Sequence, residues 1–168
     1  VEKFIQPAKG RTHVLRLIRE LLYFMPQHRK TDLRAPLDFL NSSLSRRSIV
    51  FLVTDGLTIQ PLERELRIAA AKHDLIMVLV RDPRENLLPD VGLIEIEDPE
   101  TGAEMMFDTS DRAAVAELAR RQSQLDEEFT KTCRKLGLDV IRLTAGESVV
   151  KPVCRLFSER EKKMAMQR

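Results

Sequence analysis

The sequence is poor in the residues and patterns that mark several common protein classes. It has no Trp and one Tyr, and no aromatics are interleaved with the basic residues, so a nucleic-acid surface built on base stacking is not favoured. No apolar run approaches the roughly 20 residues of a membrane-spanning helix, so no membrane insertion is expected. The two cysteines, Cys133 and Cys154, have neither CxxC nor Cys/His spacing, which favours reduced, packing-type thiols in a cytoplasmic protein.

Motifs of the best-known enzyme classes are also absent from the sequence. It contains no Gly-rich phosphate loop, no GxGxxG, no GxSxG and no HExxH. The three histidines, His13, His28 and His73, are isolated from one another along the chain. These absences disfavour a nucleotide-binding enzyme, a serine hydrolase and a zinc protease, and we predict no catalytic or organic-cofactor residues.

The most informative stretch is a run of five apolar residues, 49–53, that leads into Thr54, Asp55 and Gly56. The run is rich in β-branched residues and ends in a turn signal, which predicts a strand buried on both faces of a parallel sheet. Asp55 then follows the carboxyl end of that strand. Ligand and metal sites of open α/β sheets lie at this edge.

The remaining hydrophobic patterns predict an α/β fold. Two helices precede the strand at 49–53, a helix and a second strand at 75–80 follow it, and a hairpin leads to a long helix, a third strand at 138–143 and a last helix. A strand–helix–strand order implies parallel pairing. We therefore predict a three-layer, Rossmann-like sandwich with a mostly parallel sheet plus a β-hairpin.

We interpret residues 1–168 as a single domain whose last part, 158–168, is a charged tail that frays. The chain begins with Val rather than Met, and three sheet strands are few for this kind of fold. We therefore expect N-terminal strands to lie upstream. The sheet edge beside residues 48–53 is then exposed and open to pairing, so a homo-oligomer through this edge is expected.

Charge is distributed unevenly although the net charge is only +2. Residues 1–47 carry ten Lys and Arg against four Asp and Glu, whereas residues 82–108 carry nine acidic residues against one Arg. One hypothesis is that the acidic hairpin region docks on a basic protein partner without any metal, which predicts salt-sensitive binding. The alternative is that both regions are ordinary solvated faces of the domain.

The residues best suited to chemistry are oxygen donors. Thr31, Asp55 and Asp82 can each reach the carboxyl edge of the sheet, and hydroxyl and carboxylate oxygens are natural ligands of Mg²⁺. Each also has an ordinary structural role open to it, Thr31 as the N-cap of the second helix and the acids as turn formers or caps. A Mg²⁺-dependent hydrolase or nuclease using Asp55, Asp82 and Glu85 is an alternative function.

Several segments together resemble a known family, the von Willebrand factor A-like (vWA-like) domains of uncharacterised bacterial proteins that accompany MoxR-type AAA+ ATPases. The resemblance covers nearly the whole chain and is carried by Thr31-Asp32-Leu33, Thr54-Asp55, Arg81-Asp82-Pro83-Arg84-Glu85, Leu88-Pro89-Asp90-Val91-Gly92, Asp98-Pro99-Glu100-Thr101-Gly102, Asp108-Thr109-Ser110 and Phe157-Ser158-Glu159-Arg160. The Asp-Pro-Arg-Glu segment and the later Glu-Thr-Gly turn are the most specific of these.

The resemblance implies a metal-ion-dependent adhesion site at the carboxyl edge of the sheet. In the family pattern, the metal is held by an Asp-x-Ser-x-Ser segment, by a Thr and by a later Asp. Thr31 matches the Thr, and Asp55 matches the later Asp. The Asp-x-Ser-x-Ser segment is not in this chain, so Mg²⁺ or Mn²⁺ is expected in the full-length protein, and a weak or empty site here. Two residues depart from the family pattern: Lys30 stands where a Gly usually precedes the Thr, and Gly56 stands after Asp55 where an aromatic residue is usual.

The resemblance also implies what kind of work the protein does. Similar proteins are taken to be non-enzymatic adaptors that work with the MoxR-type ATPase in the assembly or activation of other protein complexes. We therefore expect a protein-interaction module whose partner is such an ATPase, with no nucleic acid involved.

Overall fold

The fold is seen in a computed structural model that describes residues 1–26, 31–56, 62–85, 89–97 and 102–166. Its helices are α1 (Arg11–Tyr23), α2 (Arg34–Ser43), α3 (Glu63–Lys72), α4 (Arg112–Lys135) and α5 (Val150–Met166). Its strands are β1 (Ile49–Thr54), β2 (Asp74–Arg81), β3 (Leu93–Glu97), β4 (Glu104–Asp108) and β5 (Asp139–Thr144). Lys30, Leu88 and the 98–101 turn, which the family resemblance uses, lie outside the described residues.

The main sheet is parallel and has the strand order β1-β2-β5. Phe51 lies beside Ile76, and Val78 lies beside Ile141. Strands β3 and β4 pair with each other as an antiparallel hairpin, with Ile94 opposite Phe107. The predicted α/β class, with a mostly parallel sheet plus a β-hairpin, is confirmed, and the architecture is consistent with a Rossmann-like fold.

Helices cover the two faces of the main sheet unequally. Helices α2, α3 and α4 cover one face, and α5 packs on the other against Ile76, Val78 and Ile141. The buried side chains of the larger cluster come from three helices, β2 and the segment before α3: Leu37, Leu62, Leu66, Ala69, Leu75, Met77, Leu79, Phe129 and Cys133. The centre of the sheet is therefore β2, which is buried on both faces.

The prediction that residues 49–53 are buried on both faces is wrong. Val50 and Leu52 pack against the larger cluster, but Ile49, Phe51 and Val53 are exposed to 56%, 46% and 60%. Alternate residues of a strand point to opposite faces, and α5 packs over β2 and β5 rather than over β1. The continuous apolar run is thus a half-buried edge strand within the described part of the chain.

Both ends of α4 agree with the sequence signals around them. The Asp111 carboxylate accepts hydrogen bonds from the N–H groups two and three residues further on, at 2.9 and 3.2 Å, as an N-cap does. Gly137 has φ +65°, and the next N–H, of Leu138, donates to the Cys133 carbonyl at 2.9 Å. This left-handed C-terminal motif turns the chain directly into β5.

The tail predicted to fray, residues 158–168, is instead helical as far as Met166. Arg160 explains why the helix continues. Its guanidinium donates to both carboxylate oxygens of Asp74, at 2.7 and 2.8 Å, and its Nε donates to Asp139 at 2.7 Å. Asp74 and Asp139 begin β2 and β5, so Arg160 fastens α5 to the amino end of the sheet.

Candidate functional site

Thr31 and Asp55 lie at the same end of the main sheet. Asp55 directly follows β1, and Thr31 precedes α2. At the start of α2, the Arg34 guanidinium lies 3.4 Å from the carboxylate of Glu65 in the first turn of α3. At the other end, Lys72 of α3 donates to the Asn41 carbonyl of α2 at 2.7 Å, so α2 runs parallel to α3, which begins near the carboxyl end of β1. The start of α2 therefore lies near the carboxyl edge, and both side chains are exposed there.

The turn after β1 is fixed by backbone and packing constraints. The buried Thr54 hydroxyl accepts a hydrogen bond from the Gly56 N–H at 3.0 Å. Gly56 has φ +78°, and a Cβ at this position would lie 2.7 Å from Leu79 Cδ1 and 3.1 Å from Phe129 Cδ2. The left-handed backbone and this close approach both favour Gly. Gly56, where the family resemblance leads us to expect an aromatic residue, thus brings the turn against the core.

Arg81, at the end of β2, fixes the backbone of Asp55 from the neighbouring strand. Its guanidinium donates to the Asp55 carbonyl and to the carboxylate of Asp126 in α4. The Arg81 side chain is only 14% exposed, and a charge-assisted link of this kind restricts motion at the end of β1. Sequence reasoning missed this role, because Asp126 is 45 residues away on a long polar helix and no local pattern connects the two.

The side chain of Asp82, after β2, bonds to a residue two positions further along the chain. Its carboxylate accepts from the Arg84 side chain at 2.6 to 3.1 Å and from the Arg84 backbone N–H at 2.9 Å. These bonds lower the pKa of Asp82 to about 2. The acid after β2 therefore forms a turn with Arg84, the ordinary structural role that the sequence leaves open for it. The Glu85 side chain, which the hydrolase alternative needs, lies outside the described part.

The interpretation of Thr31 as the N-cap of the second helix is wrong. Asp32 provides the cap, because its Oδ1 accepts from the Arg34 N–H at 2.9 Å and from the Ala35 N–H at 3.4 Å. These are the first N–H groups of α2, which otherwise lack partners. Thr31 is thereby left one residue before the cap, in the loop at the carboxyl edge.

Thr31 and Asp55 fit a hard cation in type but supply few donors. Mg²⁺ prefers six oxygen ligands and commonly keeps several waters. One hydroxyl and one carboxylate can supply part of that set. Across the described ranges, no group of three or more His, Cys, Asp or Glu side chains has a metal-binding arrangement. A cation bound by these two residues would therefore need waters or further residues to complete its ligand set.

Comparison with known proteins identifies the family of the chain. Residues 1–128 match the family described as protein of unknown function DUF58. The chain belongs to the DUF58 family. The match includes the whole carboxyl edge described above, from Thr31 to Asp126, and ends before β5 and α5.

Relatives of this DUF58 chain occur in mycobacteria. An uncharacterized protein of Mycobacterium tuberculosis and one of Mycobacterium bovis are each 29% identical over 160 residues, which is 93% of this chain and 50% of each relative. An uncharacterized protein of Mycobacterium avium is 27% identical over 131 residues, 78% of this chain and 77% of that protein. The chain thus spans about half the length of the first two relatives. No solved structure matches it.

The described helices also bear on the expected absence of membrane insertion. None of them is both long enough and apolar enough to cross a bilayer.

Both cysteines are free, as predicted, but only Cys133 is buried and Cys154 is exposed. The packing role expected of both therefore holds for Cys133 alone.

Proposed function

We propose that this DUF58 chain is a protein-interaction module rather than an enzyme. In the proposal, a divalent cation, Mg²⁺ or Mn²⁺, is held in part by Thr31 and Asp55 at the carboxyl edge of the sheet. A bound cation would supply a Lewis-acidic position that a carboxylate of a partner protein can fill. The role of these residues is to present hard oxygen donors on a fixed framework.

One observation carries this proposal more than any other. The Asp55 side chain is exposed at the end of β1, while its backbone is fixed by the Arg81 guanidinium and by the neighbouring glycine packed against Leu79. Rigid support behind an exposed carboxylate suits a binding residue, because little conformational entropy is lost when a ligand binds.

The partner class in the proposal is a MoxR-type AAA+ ATPase, with which the module would assemble or activate other complexes. This part rests on the family resemblance of the segments around Thr31, Asp55 and Arg81. The free carboxylate that fills the cation site would belong to the ATPase or to its client. Binding should therefore require a divalent cation and stop when EDTA removes it.

Calorimetric titration of Mn²⁺ tests the cation site. We expect weak binding to the chain, at least tenfold weaker binding to Asp55→Ala, and a smaller loss in Thr31→Val, since one carboxylate contributes more than one hydroxyl. Asp82→Ala is the matched control, because it removes an acid at the next strand end without touching the proposed donors. Equal Mn²⁺ affinity in the unaltered chain and Asp55→Ala would reject the site.

The same variants separate the alternatives. A hydrolase using Asp55, Asp82 and Glu85 requires phosphodiesterase turnover that disappears in both Asp55→Ala and Asp82→Ala. Docking of the acidic hairpin requires partner binding that survives EDTA and weakens with salt. The adhesion-type module instead requires partner binding that EDTA abolishes and Asp82→Ala leaves intact.

A further inference from the structure

Strand β5 forms the edge of the main sheet opposite to β1, because β2 lies between them. Strands added beside β1 would therefore leave the β5 edge unchanged. The Ala145 N–H, just after β5, donates to the Arg81 carbonyl of β2 at 2.8 Å, so the backbone groups of Ala145 point toward β2. Backbone groups of alternate residues point to alternate sides. The N–H and C=O groups of Val140 and Arg142 therefore point outward, where β5 has no strand partner among the described residues.

An open groove of about 500 Å³ runs between β5 and the helix that follows it, α5. The helix packs over β2 and β5, and its Arg160 bonds to Asp139 at the start of β5, so it runs back along the strand beside the edge. The buried and half-buried residues that line the groove are apolar: Val140, Ile141, Pro152 and Leu156. An edge strand with a groove beside it is the arrangement that takes an extended peptide as an added strand.

The exposed residues of the groove are mainly basic. Of the described residues that line it, Arg142, Lys151 and Arg155 are basic and Glu159 alone is acidic. Glu159 accepts from Nε of Arg155 at 2.9 Å, and a guanidinium has two further nitrogens that can donate to another carboxylate. Arg142 reaches toward the other face of the sheet, where it donates to Thr130 of α4 at 2.7 Å. The cationic donors on the α5 side of the groove are therefore Lys151 and Arg155.

We propose that β5 binds an extended acidic peptide segment of a partner protein as an added strand, with acidic side chains at alternate positions facing the groove. Four helical residues rise about 6 Å, and two strand residues advance about 6.6 Å. Acidic residues two positions apart in the added strand thus match the spacing of Lys151 and Arg155. The outward N–H and C=O groups of Val140 and Arg142 offer four backbone hydrogen bonds to the same strand. This surface is separate from the proposed cation site and does not depend on it.

Charge complementarity selects an acidic peptide over the other occupants. A second copy of the chain paired through β5 would bring Arg142 near its own counterpart, and like charges across a strand pair are destabilising. A charged residue on an edge strand is also a common protection against such self-pairing. A neutral peptide would use the backbone groups but would partly desolvate Lys151 and Arg155 without a counter-charge. An acidic peptide satisfies both the backbone and the basic side chains.

Fluorescence anisotropy with a labelled, end-capped Glu-Val-Glu-Val-Glu peptide tests the proposal, and EDTA in the buffer keeps the result independent of the proposed cation site. We expect reversible binding that Lys151→Glu and Arg155→Glu each weaken at least about tenfold, because each reverses a charge in the groove. Lys163→Glu is the matched control: Lys163 is exposed on the same helix but does not line the groove. Its substitution should weaken binding less than about threefold. Absence of binding at about 1 mM peptide, or an equal loss in Lys163→Glu, overturns the proposal.

Two further measurements distinguish strand addition from simple charge attraction. A Glu-Glu-Glu-Val-Val peptide has the same composition without the alternation, and it should bind at least about fivefold more weakly, since an added strand is read at alternate positions. Hydrogen exchange should show that saturating Glu-Val-Glu-Val-Glu peptide protects the amides of Val140 and Arg142. Equal affinity for the two peptides, or unchanged exchange of both amides when the peptide is bound, would overturn the added strand.

Discussion

The contact of Arg160 with Asp74 and Asp139 makes a quantitative prediction about stability. Replacing Arg160 with Met keeps most of the aliphatic stem but removes the charged hydrogen bonds to both carboxylates. Charged hydrogen bonds contribute about 1.5–3 kcal/mol, and exposed ion pairs about 0–1 kcal/mol. The Arg160 side chain is 23% exposed and the two carboxylates are 31% and 36% exposed, so we expect a loss of about 2 kcal/mol in unfolding free energy.

Urea and thermal unfolding followed by circular dichroism measure this loss. For a chain of this size, about 2 kcal/mol corresponds to a fall in Tm of roughly 4–8 °C. Arg155→Met is the matched control on the same helix. Arg155 pairs with Glu159 four residues along, but their side chains are 82% and 51% exposed, so its loss should cost under about 0.5 kcal/mol.

The pH dependence gives an independent check with a defined sign. The hydrogen bonds from Arg160 lower the pKa of Asp74 below its usual value. A carboxylate with a lowered folded pKa stabilises the fold above its unfolded pKa, about 3.9, and this contribution is lost as the pH falls through the folded value. The difference between the unaltered chain and Arg160→Met should therefore be constant above about pH 5 and shrink below about pH 4.

A double-mutant cycle identifies the interaction responsible. Asp74→Asn should destabilise the unaltered chain but cost little when Arg160 is already Met, which gives a coupling energy of at least about 1 kcal/mol. Two results would refute the reasoning that Arg160 holds α5 to the sheet. One is a loss of less than about 0.5 kcal/mol of unfolding free energy in Arg160→Met. The other is a difference in unfolding free energy between the two proteins that does not change with pH.

Two further predictions concern the turn after β1 and the cysteines. Gly56→Ala should cost about 1–3 kcal/mol in urea unfolding, because its Cβ would lie 2.7 Å from Leu79. Gly146→Ala, left-handed but in open space, should cost less, and equal losses would contradict the packing argument. Burial raises the pKa of Cys133 to about 11, so a thiol reagent at pH 8 should label only Cys154 in the native chain. In guanidinium the same reagent should label both cysteines. Rapid labelling of Cys133 in the native chain would contradict its burial.

Local sequence signals fixed the elements themselves. Hydrophobic periodicity located the described elements to within a few residues, except that α5 continues to Met166 through the tail predicted to fray. Asp111 and Gly137 marked the ends of α4 through rules that depend on neighbouring backbone groups alone. The position of Asp55 at the end of β1 was likewise predicted, because an apolar run followed by Thr-Asp-Gly signals a strand end. Each of these inferences concerns interactions within a few residues of the chain.

Long-range contacts decided what surrounds each of these signals. The two strand-end acids, Asp55 and Asp82, look alike in sequence, but Arg81 of the neighbouring strand donates to the backbone carbonyl of Asp55, whereas the Asp82 carboxylate binds Arg84 two residues further along the chain. The pairing of Arg81 with Asp126, like that of Arg160 with Asp74, spans residues that no local rule connects. Only three-dimensional packing brings such groups together.

What the sequence determined by itself was the α/β class, the order of its elements and the presence of oxygen donors at strand ends, because these follow from periodicity and local backbone chemistry. The tertiary structure decided which strand lies at the edge. Five consecutive apolar residues predict burial on both faces, but burial depends on what packs above each face, and no helix covers Ile49, Phe51 and Val53 among the described residues. Exposure is a property of the assembled layers, and a single strand does not encode it.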